Sequence, residues 1–269
     1  MIRIFPRKLH YAAAAILEPI QILLGTRDPL LPSRELIDSV GGGDYKALGN
    51  QWFRHFTTIG GLKPDHRVLD VGCGCGRIAV PLLEYISGNG GYWGFDITRA
   101  GIRWCERRIA SRRPNFHFTL ADIYNKNYHP EGRIQPVEYR FPYADGFFDF
   151  IFLTSVFTHM QAPEMNRYLS EIARVMKSGA RCMMSFFLMN PEVRNLPQDK
   201  AIIDFKFKLK DCYSSREDIP EAAIAFDEGY VRDRFSARGL RIIEPIHFGC
   251  WCGRKQFVDY QDIVLATKP

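Results

Sequence analysis

At 269 residues, with 46% hydrophobic and 25% charged side chains, the chain is long enough for a large core and ordinary enough in composition to exclude disorder. Its formal charge of +6 permits an anionic acceptor or a membrane surface without requiring either. The seven cysteines show no repeated CxxC pair and no zinc spacing, so reduced thiols in a cytoplasmic compartment are expected rather than a disulfide frame.

Arg3, Arg7 and Lys8 precede an apolar stretch from Tyr11 to Leu24, which Glu18, Pro19 and Gln21 interrupt and which is too short to span a bilayer. Ile16, Ile20, Leu23 and Leu24 fit one helical face. Packing on the core is the first reading, and peripheral contact with a membrane or a lid role is the second. Residues 1–58 therefore read as a helical extension or cap. The glycine run 41–43 reads either as a hinge or as a loop letting Tyr45 close over a ligand.

From Gly61 onward, short apolar runs alternate with helical patterns, as in a parallel sheet with crossover helices. Arg67 to Val71, Tyr92 to Phe95 and Phe116 to Leu120 are expected as the first three strands. Ile78, Leu82 and Ile86, then Ile102, Cys105 and Ile109, mark the helices between them. Arg99, Arg103 and Arg107 share one face of the second helix and read as a solvated surface rather than a nucleic-acid contact. A polar stretch from Tyr124 to Gly146 is expected as a long loop. Phe148 to Leu153 is apolar enough for a strand buried on both faces.

Met165, Leu169, Ile172 and Met176 define the next helix, with Pro163 in its first turn and Ser178 and Gly179 ending it. Arg181 to Phe187 is expected as the fifth strand. An irregular insertion follows, residues 188–224, in which Phe205, Phe207 and Leu209 alternate as in a strand or hairpin. Tyr230 to Leu240 reads as the last helix, and Ile242 to His247 and Asp262 to Thr267 as closing strands. Cys250 and Cys252 read as small side chains near a strand end, with metal or redox chemistry as the lesser alternative.

The densest signal is the loop after the first strand: Asp70, Val71, Gly72, Cys73, Gly74, Cys75, Gly76, Arg77. Alternate glycines let a backbone turn sharply and approach a ligand closely, and the helix behind favours an anionic group. A dinucleotide fingerprint would place a third glycine where Arg77 stands. Asp70 would repel a pyrophosphate but suits the ammonium of a methionine moiety. Asp96, ending the second strand, suits ribose hydroxyls.

These segments resemble the class I S-adenosylmethionine-dependent methyltransferases over roughly residues 60–187. Val68 to Gly76 is similar to their first motif, Gly94 to Asp96 to the second, and Ala121 to Ile123 to the segment flanking the adenine. Phe148 to Phe152 is similar to the fourth motif, and Arg174 to Ala180 to the turn before strand five. The resemblance implies an α/β Rossmann-like fold with a seven-stranded, mostly parallel sheet in a domain over residues 59–269. It also implies S-adenosylmethionine as cofactor and S-adenosylhomocysteine as its product; no acids stand at the edge where catechol-type enzymes bind metal, so no metal is expected. The cofactor contacts it implies are Asp70, Gly72, Cys73, Gly74, Gly76, Asp96, Ile97, Asp122, Ile123 and Thr154.

Ser155 to Met160, with Gly249, Trp251, Gly253, Arg254, Gln261 and Asp262, is further similar to a group of uncharacterised bacterial methyltransferases thought to act on sugars, glycolipids or other small metabolites. The expected acceptor is accordingly a small hydroxyl-bearing molecule. His159 is the candidate base, and Tyr45, Trp251 and Arg254 are candidate acceptor contacts. The turn Leu153–Val156 lacks the Asn/Asp-Pro-Pro-aromatic and Pro-Cys sequences of base-methylating enzymes, which disfavours a nucleic-acid substrate. Methylation of RNA or another macromolecule, and cofactor binding without catalysis, stand as the alternatives.

Overall fold

The computed structural model describes residues 17–269 apart from 19, 127, 198 and 199. The readings placed on residues 1–16 lie outside it. Among the described residues of that first segment, Ile20, Leu23 and Leu24 are exposed rather than packed on the core.

Two helices, α1 (Arg34–Ser39) and α2 (Tyr45–His55), precede the sheet, and each begins on a side-chain cap, Ser33 and Asp44. Then come β1 (Arg67–Val71), α3 (Ala79–Leu82), β2 (Gly91–Asp96), α4 (Arg99–Cys105), β3 (Phe116–Leu120) and β4 (Phe148–Leu153). Helix α5 (Ala162–Val175) leads to β5 (Met176–Phe186), which begins about five residues earlier than the pattern suggested because Met176 pairs with Phe148. The chain closes through α7 (Glu228–Ser236), β10 (Arg241–Ile242) and β11 (Asp262–Thr267).

The seven strands lie in the order β10-β11-β5-β4-β1-β2-β3, with β11 antiparallel to both neighbours and the rest parallel. Period-two alternation divides the core between the two faces of the sheet. Ile151 and Leu153 of β4 join Met165, Leu169, Val231 and Phe235 from α5 and α7. Phe150 and Phe152, one residue out of phase, join Trp52, Phe56, Leu82 and Cys105 from the opposite layer. Helix α2 reaches that layer because Gly49 carries no side chain: a Cβ there would stand 2.4 Å from the Arg77 carbonyl oxygen.

The insertion forms a second sheet in the order β6-β9-β8-β7, from β6 (Leu188–Met189), β7 (Phe207–Leu209), β8 (Cys212–Ser214) and β9 (Ile224–Asp227). The alternation at Phe207 and Leu209 is the first arm of the β7–β8 hairpin. Helix α6 (Pro191–Asn195) precedes it.

This added layer is tied to the main sheet by Asp262. Its carboxylate is fully buried and accepts from Gly249 N (2.7 Å), Leu188 N (2.7 Å) and Trp251 Nε1 (2.8 Å). Burial pushes the Asp262 carboxyl up to about 6, against those three donors and the Arg254 charge 3.6 Å away.

Candidate active site

The carboxyl ends of β1, β2 and β4 open on one cleft, the position where α/β sheets bind ligands. Beneath it runs the glycine loop. Gly72 has φ +84, and a Cβ on it would stand 2.5 Å from Val156 Cγ2, so only glycine fits against the β4 turn. The amides of Gly72 and Cys73 donate to the Phe95 carbonyl at 2.9 and 3.1 Å. The amide of Gly74 donates to Asp96 Oδ2 at 2.7 Å. The other Asp96 oxygen accepts from the Thr98 amide and hydroxyl at 2.7 and 2.6 Å. The loop and the end of β2 therefore hold one another in place.

The cleft has two adjoining chambers with Val40, Gly41, Gly72, Gly74, Thr154, Ser155 and His159 on both. The first, of about 220 Å³, is also lined by Asp96, Ile97, Ile123, Asn125, Tyr128, Met160 and Tyr168. The second, of about 400 Å³, adds Trp52, Asp70, Cys73, Arg77, Phe187, Ile203 and the run Asp259–Gln261.

Asp70 Oδ2 accepts from the Tyr92 hydroxyl, while Oδ1 is buried with no hydrogen-bond partner. Burial pushes this carboxyl up to about 8, against the Tyr92 bond. A buried, half-satisfied acceptor beside the glycine loop suits an ammonium, which supplies both a donor and the compensating charge.

Ser155 turns the chain into the cleft with φ +57, a conformation that β-carbon residues adopt at a cost of about 1–3 kcal/mol. Its amide donates to Ser185 Oγ at 2.7 Å and its hydroxyl to Gln261 Oε1 at 3.1 Å. Four residues on, His159 Nδ1 stands 2.9 Å from the Glu221 carbonyl oxygen. A carbonyl only accepts, so Nδ1 carries the proton and Nε2 is the basic nitrogen. Glu221 is itself held by Gln161 Nε2 at 2.9 Å.

The structure brings Asp70, Gly72, Cys73, Gly74, Asp96, Ile97, Ile123, Thr154 and His159 together around the cleft. Other expected contacts lie elsewhere. Gly76 faces the end of α4 and the helical turn after it, where an added Cβ would stand 3.0 Å from Cys105 Sγ and 2.5 Å from Ile109 Cδ1. Asp122 turns to Arg133 and, at 3.5 Å, to His129, and only its neighbour Ile123 lines the chamber.

Tyr45, expected as an acceptor contact, does not line either chamber. It is 3% exposed, donates to the Cys75 carbonyl at 2.9 Å and braces the back of the glycine loop. Trp251, 1% exposed, packs edge-on against Phe187 and Phe205 in the core of the added layer. Arg254 bonds Glu192 at 3.0 and 3.1 Å and the Gly249 carbonyl at 3.0 Å, stands 3.6 Å from Asp262, and does not line either chamber.

Cleft residues that sequence reasoning missed include Asn125 and Tyr128, inside the stretch read as plain loop, and Asp259, whose only signal was proximity to Gln261 and Asp262.

Residues 68–179 match the family described as Methyltransferase domain. The stretch that runs from β1 into β5 thus has the sequence of a methyltransferase domain. It is 28% identical over 135 residues to the phthiotriol/phenolphthiotriol dimycocerosates methyltransferase 1 of Mycobacterium ulcerans, a match covering 50% of this chain and 42% of that protein. It is 30% identical over 122 residues to methyltransferase GfsG of Streptomyces halstedii, covering 45% and 37%. The matched part is thus less than half of either relative. Among solved structures, the fold is shared with a Pyrococcus horikoshii protein (TM-score 0.57, 15% identity, 86% of this chain and 93% of that one). It is also shared with the magnesium protoporphyrin IX methyltransferase of Synechocystis with bound S-adenosylhomocysteine (TM-score 0.52, 15% identity, 86% and 92%).

Proposed function

We propose that the protein methylates a hydroxyl oxygen on a small, neutral acceptor, with His159 as the base. The observation that carries this reading is the imidazole at the junction of the two chambers, its tautomer set by the Glu221 carbonyl so that Nε2 can take a proton.

The first chamber suits the nucleoside end of S-adenosylmethionine: Asp96 for the ribose hydroxyls, Ile97 and Ile123 against the adenine. Asp70 and the glycine loop suit its methionine end. When bound, the cofactor supplies an electrophilic methyl carbon on a sulfonium, whose S–C bond breaks as the new O–C bond forms. The protein's own work is alignment, exclusion of water and removal of one proton. His159 takes the acceptor's hydroxyl proton on Nε2 and releases it to solvent after transfer. Trp52, Phe187 and Ile203 give the second chamber an apolar part on which the body of an uncharged acceptor can rest.

Two findings support a small acceptor of this kind. The mycobacterial relative is named for phthiotriol and phenolphthiotriol dimycocerosates, and Ile203, Ala222 and Ala223 of the insertion line the second chamber. No helix among the described residues is long and apolar enough to cross a membrane. The exposed Leu17, Ile20, Leu23 and Leu24 support peripheral contact with a lipid surface, which co-sedimentation with vesicles tests.

The test is a panel of small alcohols, sugars and glycolipids incubated with methyl-labelled S-adenosylmethionine, with products read by mass spectrometry. On the acceptor that is methylated, His159→Ala should lower turnover by about 10²–10⁴-fold while leaving S-adenosylhomocysteine affinity intact. His159→Asn should rescue little, since an amide cannot take the proton. Near-normal rates in both variants would remove the base and, with it, the assignment to oxygen.

A further inference from the structure

One end of the second chamber carries a polar pair that the methyl-transfer chemistry does not use. Asp259, 8% exposed, is held from behind by α2. Gln51 Nε2 donates to its Oδ2 at 2.8 Å, and His55 Nε2, at 2.8 Å from the same oxygen, must donate too because a carboxylate only accepts. Oδ1 accepts from the Tyr260 amide. Three of the roughly four acceptor positions of a carboxylate are thereby filled, leaving one on Oδ1.

Two residues on, Gln261 shows the opposite polarity. Ser155 Oγ donates to its Oε1 at 3.1 Å, which leaves the NH2 end as the donor. Asp259 and Gln261 both line the chamber, so an acceptor and a donor two residues apart in the chain border a space that Trp52, Phe187 and Ile203 also line. A hydroxyl both donates and accepts, and it fits such a pair in full. An ammonium would leave the Gln261 donor opposed, and an ether would leave the Asp259 acceptor unmet.

We propose that Asp259 and Gln261 are specificity-determining residues that bind a second hydroxyl of the acceptor, so that the substrate class is a vicinal diol or polyol on an apolar body. This rests on the reading of the second chamber as the acceptor site. The methylated hydroxyl meets His159 while its neighbour meets the pair. Gln51 and His55 are positioning residues, acting through Asp259.

The minimal probes are trans-1,2-cyclohexanediol and cyclohexanol, which differ by one hydroxyl on the same apolar ring. Each is titrated by calorimetry into the full chain saturated with S-adenosylhomocysteine. The wild type should bind the diol at least about tenfold more tightly than the monool, as expected for hydrogen bonds to a charged group. Asp259→Asn should abolish that preference while cyclohexanol binding and S-adenosylhomocysteine affinity stay unchanged, which a purely structural role for Asp259 does not predict. Equal binding of the two probes by the wild type overturns the proposal without needing any variant. A preference retained in Asp259→Asn also overturns it. In either case, intact S-adenosylhomocysteine binding leaves the methyltransferase reading standing, whereas failure to bind S-adenosylhomocysteine removes that reading and the proposal together.

Discussion

Cofactor binding should be linked to a proton at Asp70. This carboxyl is buried, carries an unpartnered oxygen and is pushed up to about 8 by its burial. Meeting an ammonium requires the ionised form, so the site must lose a proton on binding anywhere below that pH. At pH 6, two pH units below, about one molecule in a hundred is ionised, and each unit corresponds to about 1.4 kcal/mol. The dissociation constant for S-adenosylhomocysteine should therefore fall about 50-fold between pH 6 and pH 8.

Calorimetry at pH 7 in two buffers of different ionisation enthalpy should report release of close to one proton. Asp70→Asn keeps an acceptor for Tyr92 but has nothing to ionise, so both the slope and the proton release should vanish. The same shift bears on stability. A carboxyl whose pKa is raised in the fold contributes fully below about pH 4 and loses that contribution as pH rises to about 8. Asp70→Asn without cofactor should then melt higher than the wild type at pH 8 and close to it at pH 4. A wild type that binds S-adenosylhomocysteine with no pH slope, or a variant that keeps the slope, would refute the ammonium contact.

Asp96→Ala should weaken S-adenosylhomocysteine binding by about 1.5–3 kcal/mol in the same calorimetric assay, since it also releases the Gly74 amide. Gly72→Ala places a methyl 2.5 Å from Val156 at φ +84 and should cost about 1–3 kcal/mol of stability in denaturant unfolding, together with cofactor affinity. Arg254→Ala leaves the buried Asp262 carboxylate without its neighbouring charge and should cost about 3–5 kcal/mol. S-adenosylhomocysteine affinity should meanwhile stay near wild type, and a stable variant with lost acceptor binding would return Arg254 to the pocket.

The chain by itself determined the features that depend on near neighbours. The β4 run from Phe148 to Leu153 must alternate its side chains between two layers, whatever lies beyond them. The turn after β1 needs residues that tolerate positive φ, and glycines stand at Gly72, Gly74 and Gly76. Asp70 and Asp96 follow from the same logic, since they stand at the second-last and last positions of β1 and β2, at the edge where ligands bind.

The acceptor side had no such local rule. Trp52, Arg77, Phe187, Ile203 and Asp259 meet only because the β11 register, the added sheet and α2 converge on one chamber. Trp251 and Arg254 looked like pocket residues by type and place. What turned them inward is Asp262: a carboxylate buried at the start of β11 demands donors and a nearby cation, and these side chains supply them. Only tertiary structure decides where a buried charge needs its partners, and that demand left the chamber wall to Asp259 and Gln261.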